Sequence, residues 1–116
     1  MEKLLVANRG EIAVRIMRSA AELGVRSVAV FSEDDARSLH VRRADEAQLL
    51  RGVGVTPYLD VEQILAAAKA CGCDAIHPGY GFLSESAEFA RRVAAERITF
   101  VGPGAETLDI FGDKLF

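Results

Sequence analysis

The sequence has only two cysteines and no long apolar run, and each scarcity argues against a class of protein. No apolar stretch is long enough to cross a bilayer, so we expect no membrane partner. The opening residues lack the apolar length and the small-residue cleavage site of a signal peptide, so we expect a cytoplasmic location. Cys71 and Cys73 have no further metal ligands at usable spacing, which favours two ordinary thiols in a reducing compartment.

The charge is almost balanced, with 14 Lys and Arg against 17 Asp and Glu and a formal net charge of −3. Nucleic acids and anionic membranes usually bind strongly basic surfaces, so we expect neither as a partner. Half of the 116 residues are hydrophobic. That content is enough for the core of one domain.

Short apolar runs alternate with segments of helical periodicity along the chain. The predicted strands cover residues 3–7, 27–31, 46–50, 74–77 and 98–101. The predicted helices cover residues 11–23, 60–70, 84–95 and 105–111. Residues 32–43 are polar and charged, and no helix or strand is predicted there. Strands and helices in this order predict a three-layer α/β domain with a mostly parallel sheet.

The predicted helices carry apolar stripes and recognisable ends. Asp60 and Ser84 are predicted N-caps, while Gly24 and Gly72 are predicted to end helices. The side chains expected to face the core are Ile12, Ile16, Met17, Ala20, Leu23, Ile64, Leu65, Ala68, Phe89, Ala90 and Val93.

Ligands of parallel sheets bind at the carboxyl ends of the strands, which here are loops 7–10, 32–35, 77–82 and 102–104. The first loop has one glycine beside the charged Arg9 instead of G-x-G-x-x-G, so an ordinary NAD or FAD site is not expected. Asn8 stands where a phosphate-accepting receiver domain would carry acidic residues. The sequence also has no G-x-x-x-x-G-K-[ST] loop and no G-x-S-x-G elbow.

These unusual loops resemble those of biotin carboxylases. The matching motifs are L-V-A-N-R-G-E-I-A-V-R at 5–15, S-E-D-D-A at 32–36 followed by L-H at 39–40, A-D-E-A at 44–47, A-I-H-P-G-Y-G-F-L-S-E at 75–85, F-V-G-P at 100–103 and F-G-D-K at 111–114. The resemblance covers the whole chain in order. Residues 53–56 match less closely, and the family usually has asparagine where Ser86 stands.

The resemblance implies an ATP-dependent ligase that activates bicarbonate as carboxyphosphate and carboxylates protein-linked biotin. It implies a Rossmann-like N-terminal domain over residues 1–111, with an ATP-grasp region beginning at 112–116. ATP, biotin, Mg²⁺ and bicarbonate would serve the complete enzyme, whereas none is expected to bind this segment, which should be inactive alone. The expected partners are a biotin carboxyl carrier protein or domain, the remaining biotin carboxylase domains and a second copy of the parent enzyme. The acceptor, an acyl-CoA, pyruvate, urea or a similar compound, is not indicated.

The same resemblance assigns roles to a few residues, none of them catalytic or metal-binding. Lys114 matches a lysine that contacts ATP phosphates, a task suited to an ammonium group. Tyr80 and Gly81 belong to a loop expected to face biotin, with Phe82 in the core. His77, at the end of its strand beside Pro78, could face the active site or orient the loop through a hydrogen bond, and its position favours the second role.

Helix 11–23 carries charged residues opposite its apolar stripe. Arg15, Arg18 and Glu22 share this face, which by pattern alone is a solvated surface and by resemblance is the subunit interface of a dimer. Glu11 is expected to pair with Arg15 at i,i+4. For residues 8–11, hydrogen bonds that fix the loop and contact with an anionic ligand at the helix N-terminus stay equally open.

Two alternative functions stand beside the carboxylase. One is a non-catalytic binding or assembly module that recruits a partner through the Arg15 face. The other is the leading domain of another ATP-grasp ligase, such as a carbamoyl-phosphate or purine-pathway enzyme. The long motif at 77–85 argues against the second alternative, and the ending of the chain at 114–116, where a nucleotide domain would begin, argues against the first.

Overall fold

The fold is built around one five-stranded parallel sheet. The structure, a computed structural model, describes residues 1–102 of the chain. Its strands, in the spatial order β3-β2-β1-β4-β5, are β1 (Lys3–Val6), β2 (Arg26–Phe31), β3 (Glu46–Leu49), β4 (Ala75–His77) and β5 (Thr99–Phe100). Every pairing within this sheet is parallel. The predicted α/β class and the parallel sheet are confirmed.

Helices connect these strands as crossovers. The α-helices are α1 (Gly10–Glu22), α2 (Leu39–Arg43), α3 (Val61–Ala70) and α4 (Ala87–Ala95), and short 3-10 helices cover Glu33–Asp35, Thr56–Leu59 and Phe82–Glu85. The predicted helix at 105–111 and the predicted domain boundary at 111/112 lie outside the described residues. Within residues 1–102 no helix has the length and apolar character needed to cross a membrane.

The central strand β1 divides the core into two parts. Leu5 faces one side with the α3 and α4 residues Ile64 and Phe89, and Val6 faces the other side with Met17 of α1. Both strand residues are fully buried, because successive side chains of a strand point to opposite faces and helices cover both faces. The three predicted layers are therefore present.

The buried stripe of α1 differs from its prediction at one end. Met17 and Ala20 are buried as predicted, whereas Ile12 and Ile16 are half-buried. The inward placement of Leu23 is wrong, because its side chain is 81% exposed. Leu23 is the C-cap, so it lies beyond the last turn that packs on the sheet, and the chain then leaves the helix through Gly24 at φ 75°.

The helix caps confirm one prediction and correct another. Asp60 caps α3, and its carboxylate accepts a hydrogen bond from the backbone N–H of Gln63. The predicted cap at Ser84 is wrong, since Ser84 lies inside a 3-10 helix and α4 begins at Ala87. Ser86 is the cap, with Oγ 3.0 Å from the amide nitrogen of Phe89. Asparagine is an equally good cap, so the departure from the family pattern at Ser86 preserves the helix start.

The polar segment 32–43 holds two elements that its composition concealed. It contains the 3-10 helix Glu33–Asp35 and the five-residue helix α2. Asp35 and His40 within it are buried, and each has a hydrogen-bonding partner. Periodicity does not reveal such a segment, because its buried side chains are polar.

Candidate functional site

The loops that follow β1 and β4 meet at the carboxyl edge of the sheet. The two strands are neighbours, with Val6 paired to His77, and the N–H of Ala7 donates to the carbonyl oxygen of His77 at 2.9 Å. This pairing places Asn8 directly against the loop 78–82. Loops 7–10 and 77–82, two of those predicted to hold a site, therefore lie together.

Asn8 is a buried polar side chain at the centre of this contact, with 1% exposure. Its Nδ2 donates to the carbonyl oxygens of Pro78 and Tyr80, each at 2.8 Å. Its Oδ1 accepts from the backbone N–H of Arg9 at 2.8 Å. Both N–H bonds and the carbonyl oxygen of the carboxamide are thus used, which fixes its orientation.

Gly79 passes so close to Asn8 that no side chain fits between them. A Cβ on Gly79 would lie 2.5 Å from Asn8 Nδ2, and its φ of 70° already favours glycine. The N–H of Gly79 donates to Nδ1 of His77 at 3.0 Å. Burial lowers the pKa of His77, which favours the neutral ring that this acceptor role requires. His77 thus makes the loop-orienting contact expected of it.

Tyr80 and Gly81 project from the fixed part of the loop. The Tyr80 side chain is 78% exposed, and Gly81, also exposed, adopts φ 68° and ψ −161°. Phe82, also at positive φ, turns back and packs against the core, with its ring centroid 5.6 Å from that of Tyr58. The loop therefore presents one aromatic ring to solvent and anchors itself with the other.

A buried carboxylate ties Arg9 to the rest of the edge. Asp35 Oδ1 lies 2.7 Å from Arg9 Nη2, and Asp35 Oδ2 accepts a 2.6 Å hydrogen bond from the Tyr58 hydroxyl. The guanidinium of Arg9 also lies 5.7 Å from the centroid of the Tyr58 ring. Burial, together with the hydrogen bond to Asp35, raises the pKa of Tyr58 to about 12. The sequence placed Arg9 and Asp35 in edge loops but did not pair them.

His40 is fully buried beside this network, with its ring centroid 6.4 Å from that of Tyr58. Its Nε2 lies 3.0 Å from the carbonyl oxygen of Val30, so Nε2 carries the proton in that contact. Nδ1 is buried without a hydrogen-bonding partner. Desolvation lowers the pKa of His40, because a charged imidazolium at this position would lose its hydration.

The outer face of α1, unlike the buried polar network at the edge of the sheet, is exposed to solvent. Arg15, Arg18 and Glu22 are all exposed. The predicted i,i+4 pair is present, with Arg15 Nε 3.6 Å from Glu11 Oε1. The structure thus places the three predicted interface residues on one solvent-facing helix surface. Whether they contact a second subunit stays a prediction.

The remaining predicted sites divide into those the structure describes and one it does not. Lys114 lies outside the described residues. Cys71 is half-buried and Cys73 is buried, and both are free thiols. Burial raises the pKa of the Cys73 thiol to about 12, which keeps it protonated. Among residues 1–102, no group of three or more His, Cys, Asp or Glu side chains is arranged to hold a metal ion.

Comparison with known proteins assigns this geometry to a family. The model of the biotin carboxylase N-terminal domain matches residues 1–108. The pyruvate carboxylase of Staphylococcus aureus is 56% identical over an alignment of 118 positions, which covers 99% of this chain and 10% of that protein.

Solved structures agree in fold as well as in sequence. The biotin carboxylase domain of a single-chain bacterial carboxylase is 55% identical with a TM-score of 0.95, over 98% of this chain and 27% of that one. The biotin carboxylase domain of a thermophilic 2-oxoglutarate carboxylase, bound to ADP, is 45% identical with a TM-score of 0.94, over 97% of this chain and 25% of that one. The chain thus spans about a tenth to a quarter of the length of these relatives. It belongs to the family of biotin carboxylase N-terminal domains.

Proposed function

We propose that this chain is the N-terminal domain of an ATP-dependent biotin carboxylase, a ligase that carboxylates protein-linked biotin with bicarbonate by way of carboxyphosphate. One observation carries the assignment: a member of this family presents the exposed Tyr80 on a loop fixed at the carboxyl edge of a parallel sheet. Parallel sheets bind their ligands at this edge. The described residues would therefore supply the biotin-facing side of the site.

The loop 79–81 has the chemistry that a biotin ring requires. Biotin carries a polar ureido group on an apolar bicyclic body. The exposed Tyr80 offers an aromatic face for the apolar part and a hydroxyl group for the polar part. Gly81 has no side chain, so a ligand can approach the backbone closely beside Tyr80. We therefore assign Tyr80 as the first biotin contact and Gly81 as its neighbour.

The nucleotide, Mg²⁺ and bicarbonate would be held mainly by other parts of the parent protein. The described residues contain neither a phosphate-binding glycine loop nor a metal-binding cluster. Lys114 remains the proposed phosphate contact of this chain, and the ADP-bound relative supports a nucleotide in the complete enzyme. The chain alone should thus be inactive.

The proposed partners follow from the same reasoning. The relatives are several times longer than this chain, which supports a carrier protein or carrier domain and further biotin carboxylase domains as partners. A homodimer through Arg15, Arg18 and Glu22 is proposed on their shared exposed face. A cytoplasmic location is proposed on the free thiols Cys71 and Cys73, which fit a reducing compartment.

The test uses the complete parent protein with ATP, bicarbonate and free biotin. We expect ADP release that rises with biotin and requires bicarbonate. Tyr80→Ala should raise KM for biotin about fivefold, since removing an aromatic contact costs on the order of 1 kcal/mol. Val53→Ala, which truncates another exposed apolar side chain, should leave KM unchanged.

Two outcomes would contradict the proposal. ATP cleavage by the parent protein that ignores biotin would exclude a biotin carboxylase and reopen another ATP-grasp ligase. Equal effects of Tyr80→Ala and Val53→Ala would remove Tyr80 from the site.

A further inference from the structure

We propose that Asn8 is a positioning residue for biotin, which acts by holding the Pro78–Tyr80 backbone in the one conformation that aims Tyr80 outward. This inference rests on the proposed function and extends it to a residue in the neighbouring loop, which follows β1. Asn8 does not touch solvent, so it would act through Tyr80.

The carboxamide makes its two loop contacts on either side of Gly79. Nδ2 donates to Pro78 O before the glycine and to Tyr80 O after it, both at 2.8 Å. These two bonds hold the 78–79 and 80–81 peptide units, one on each side of the peptide unit that joins Gly79 to Tyr80. Because the carbonyl of Tyr80 is held and its side chain is free, the carboxamide sets the direction in which the ring leaves the backbone.

The close approach of Gly79 to Asn8 restricts which residues can occupy these two positions. The missing Cβ of Gly79 would sit 2.5 Å from Nδ2 and 2.9 Å from Cγ of Asn8. The asparagine therefore occupies the space that any larger residue at 79 would need. The loop and the side chain fit only as the pair Asn8 and Gly79, with His77 Nδ1 taking the glycine N–H.

Asn8 and its two neighbours in the chain are held in place by further hydrogen bonds. Its Oδ1 accepts from Arg9 N, and the Arg9 side chain is bound by the buried Asp35. Ala7 is bonded to His77 O across the strands. The carboxamide is thus bonded directly to the Arg9 N–H, and the residues on either side of Asn8 are bonded to Asp35 and His77, so the position from which it holds the loop is fixed.

The first test compares two amide-to-acid substitutions in the complete enzyme. Asn8→Asp keeps the size of the side chain but points an oxygen at two carbonyl oxygens. We expect KM for biotin to rise about tenfold or more, from two lost hydrogen bonds, while KM for ATP stays unchanged. Gln63→Glu is the matched control, since the Gln63 amide also fixes a loop by bonding the N–H and carbonyl of Arg51. It should change neither constant.

A second set of variants approaches the same contact from the loop and keeps the test informative if Asn8→Asp folds poorly. Gly79→Ala should raise KM for biotin as well. Combined with Asn8→Ala it should cost less than the sum of the two single changes, because the shortened side chain removes the two shortest contacts, those with Nδ2 and Cγ. Hydrogen exchange of the parent protein should accelerate in residues 78–82 of each single variant and not in β1 or β2.

The outcomes separate the inference from the function on which it depends. Equal increases in KM for biotin and for ATP, or additive effects of Asn8→Ala and Gly79→Ala, would overturn the positioning role and leave the proposed function standing. Wild-type enzyme without biotin-dependent ADP release would overturn the proposed function, and the inference with it.

Discussion

Two regions of the chain carry predicted function, and they are built in opposite ways. At the carboxyl edge of the sheet, the polar side chains of Asn8 and Asp35 are buried, and each is bonded to a partner distant in sequence. On the outer face of α1, the side chains of Glu11 and Arg15 are 79% and 74% exposed, and their closest oxygen and nitrogen are 3.6 Å apart.

The difference separates two ways in which a surface can function. A buried polar group must be hydrogen-bonded, so its partners are fixed and the backbone they hold is fixed with them. An exposed ion pair contributes little to folding and leaves its charges available. The edge suits the orientation of a small ligand, whereas the helix face suits a partner that brings its own complementary charges.

The largest effect should follow from Asp35→Ala. The change leaves the buried Tyr58 hydroxyl and the Arg9 guanidinium without their shared acceptor. An unsatisfied buried group costs about 1–3 kcal/mol, so we expect the free energy of unfolding of the chain to fall by about 2–3 kcal/mol in urea titrations. Asp34→Ala, one residue away on an exposed side chain, is the control and should cost clearly less. Equal losses would show that burial of Asp35 has no special role.

The sequence predicted the strands and loops that form this edge, but not the side-chain pairs that hold the loops together. Alternating apolar runs predicted the strands and the loops, because periodicity is a local property. The pairs Arg9–Asp35 and Tyr58–Asp35 join residues 26 and 23 positions apart, and no local pattern encodes such partners. The predicted cap at Ser84 was wrong because residues Phe82–Glu85 form a 3-10 helix that no local pattern indicated, so α4 starts only after Ser86. The exposure of Leu23 likewise depends on where the helix ends.

An intermediate loss of folding stability should appear as pH falls. The folded-state pKa of His40 is lowered by desolvation, and so is that of His77. Below about pH 6.5 these two histidines therefore bind protons in the unfolded chain but stay neutral in the folded chain. The free energy of unfolding is lost as pH falls from that value towards the lower folded-state pKa values.

Substitution of either histidine tests the origin of this loss. His40→Gln removes the titrating group and keeps an amide donor for Val30 O, so the decline in the free energy of unfolding as pH falls below about 6.5 should become shallower. His77→Gln should reduce this decline independently. An unaltered pH dependence in the double histidine variant would assign the loss to other groups.

The smallest effect on folding should come from the outer face of α1, and here the two regions separate most cleanly. Exposed i,i+4 pairs contribute about 0.3–0.5 kcal/mol, so Glu11→Gln should hardly shift the urea midpoint. Arg18→Glu should be similarly mild for folding, yet in the complete enzyme it should weaken dimerisation, measured by sedimentation. A dimer that survives Arg18→Glu unchanged would leave this face as solvated surface, with function confined to the carboxyl edge. A weakened dimer with intact KM for biotin would show that the two regions act independently.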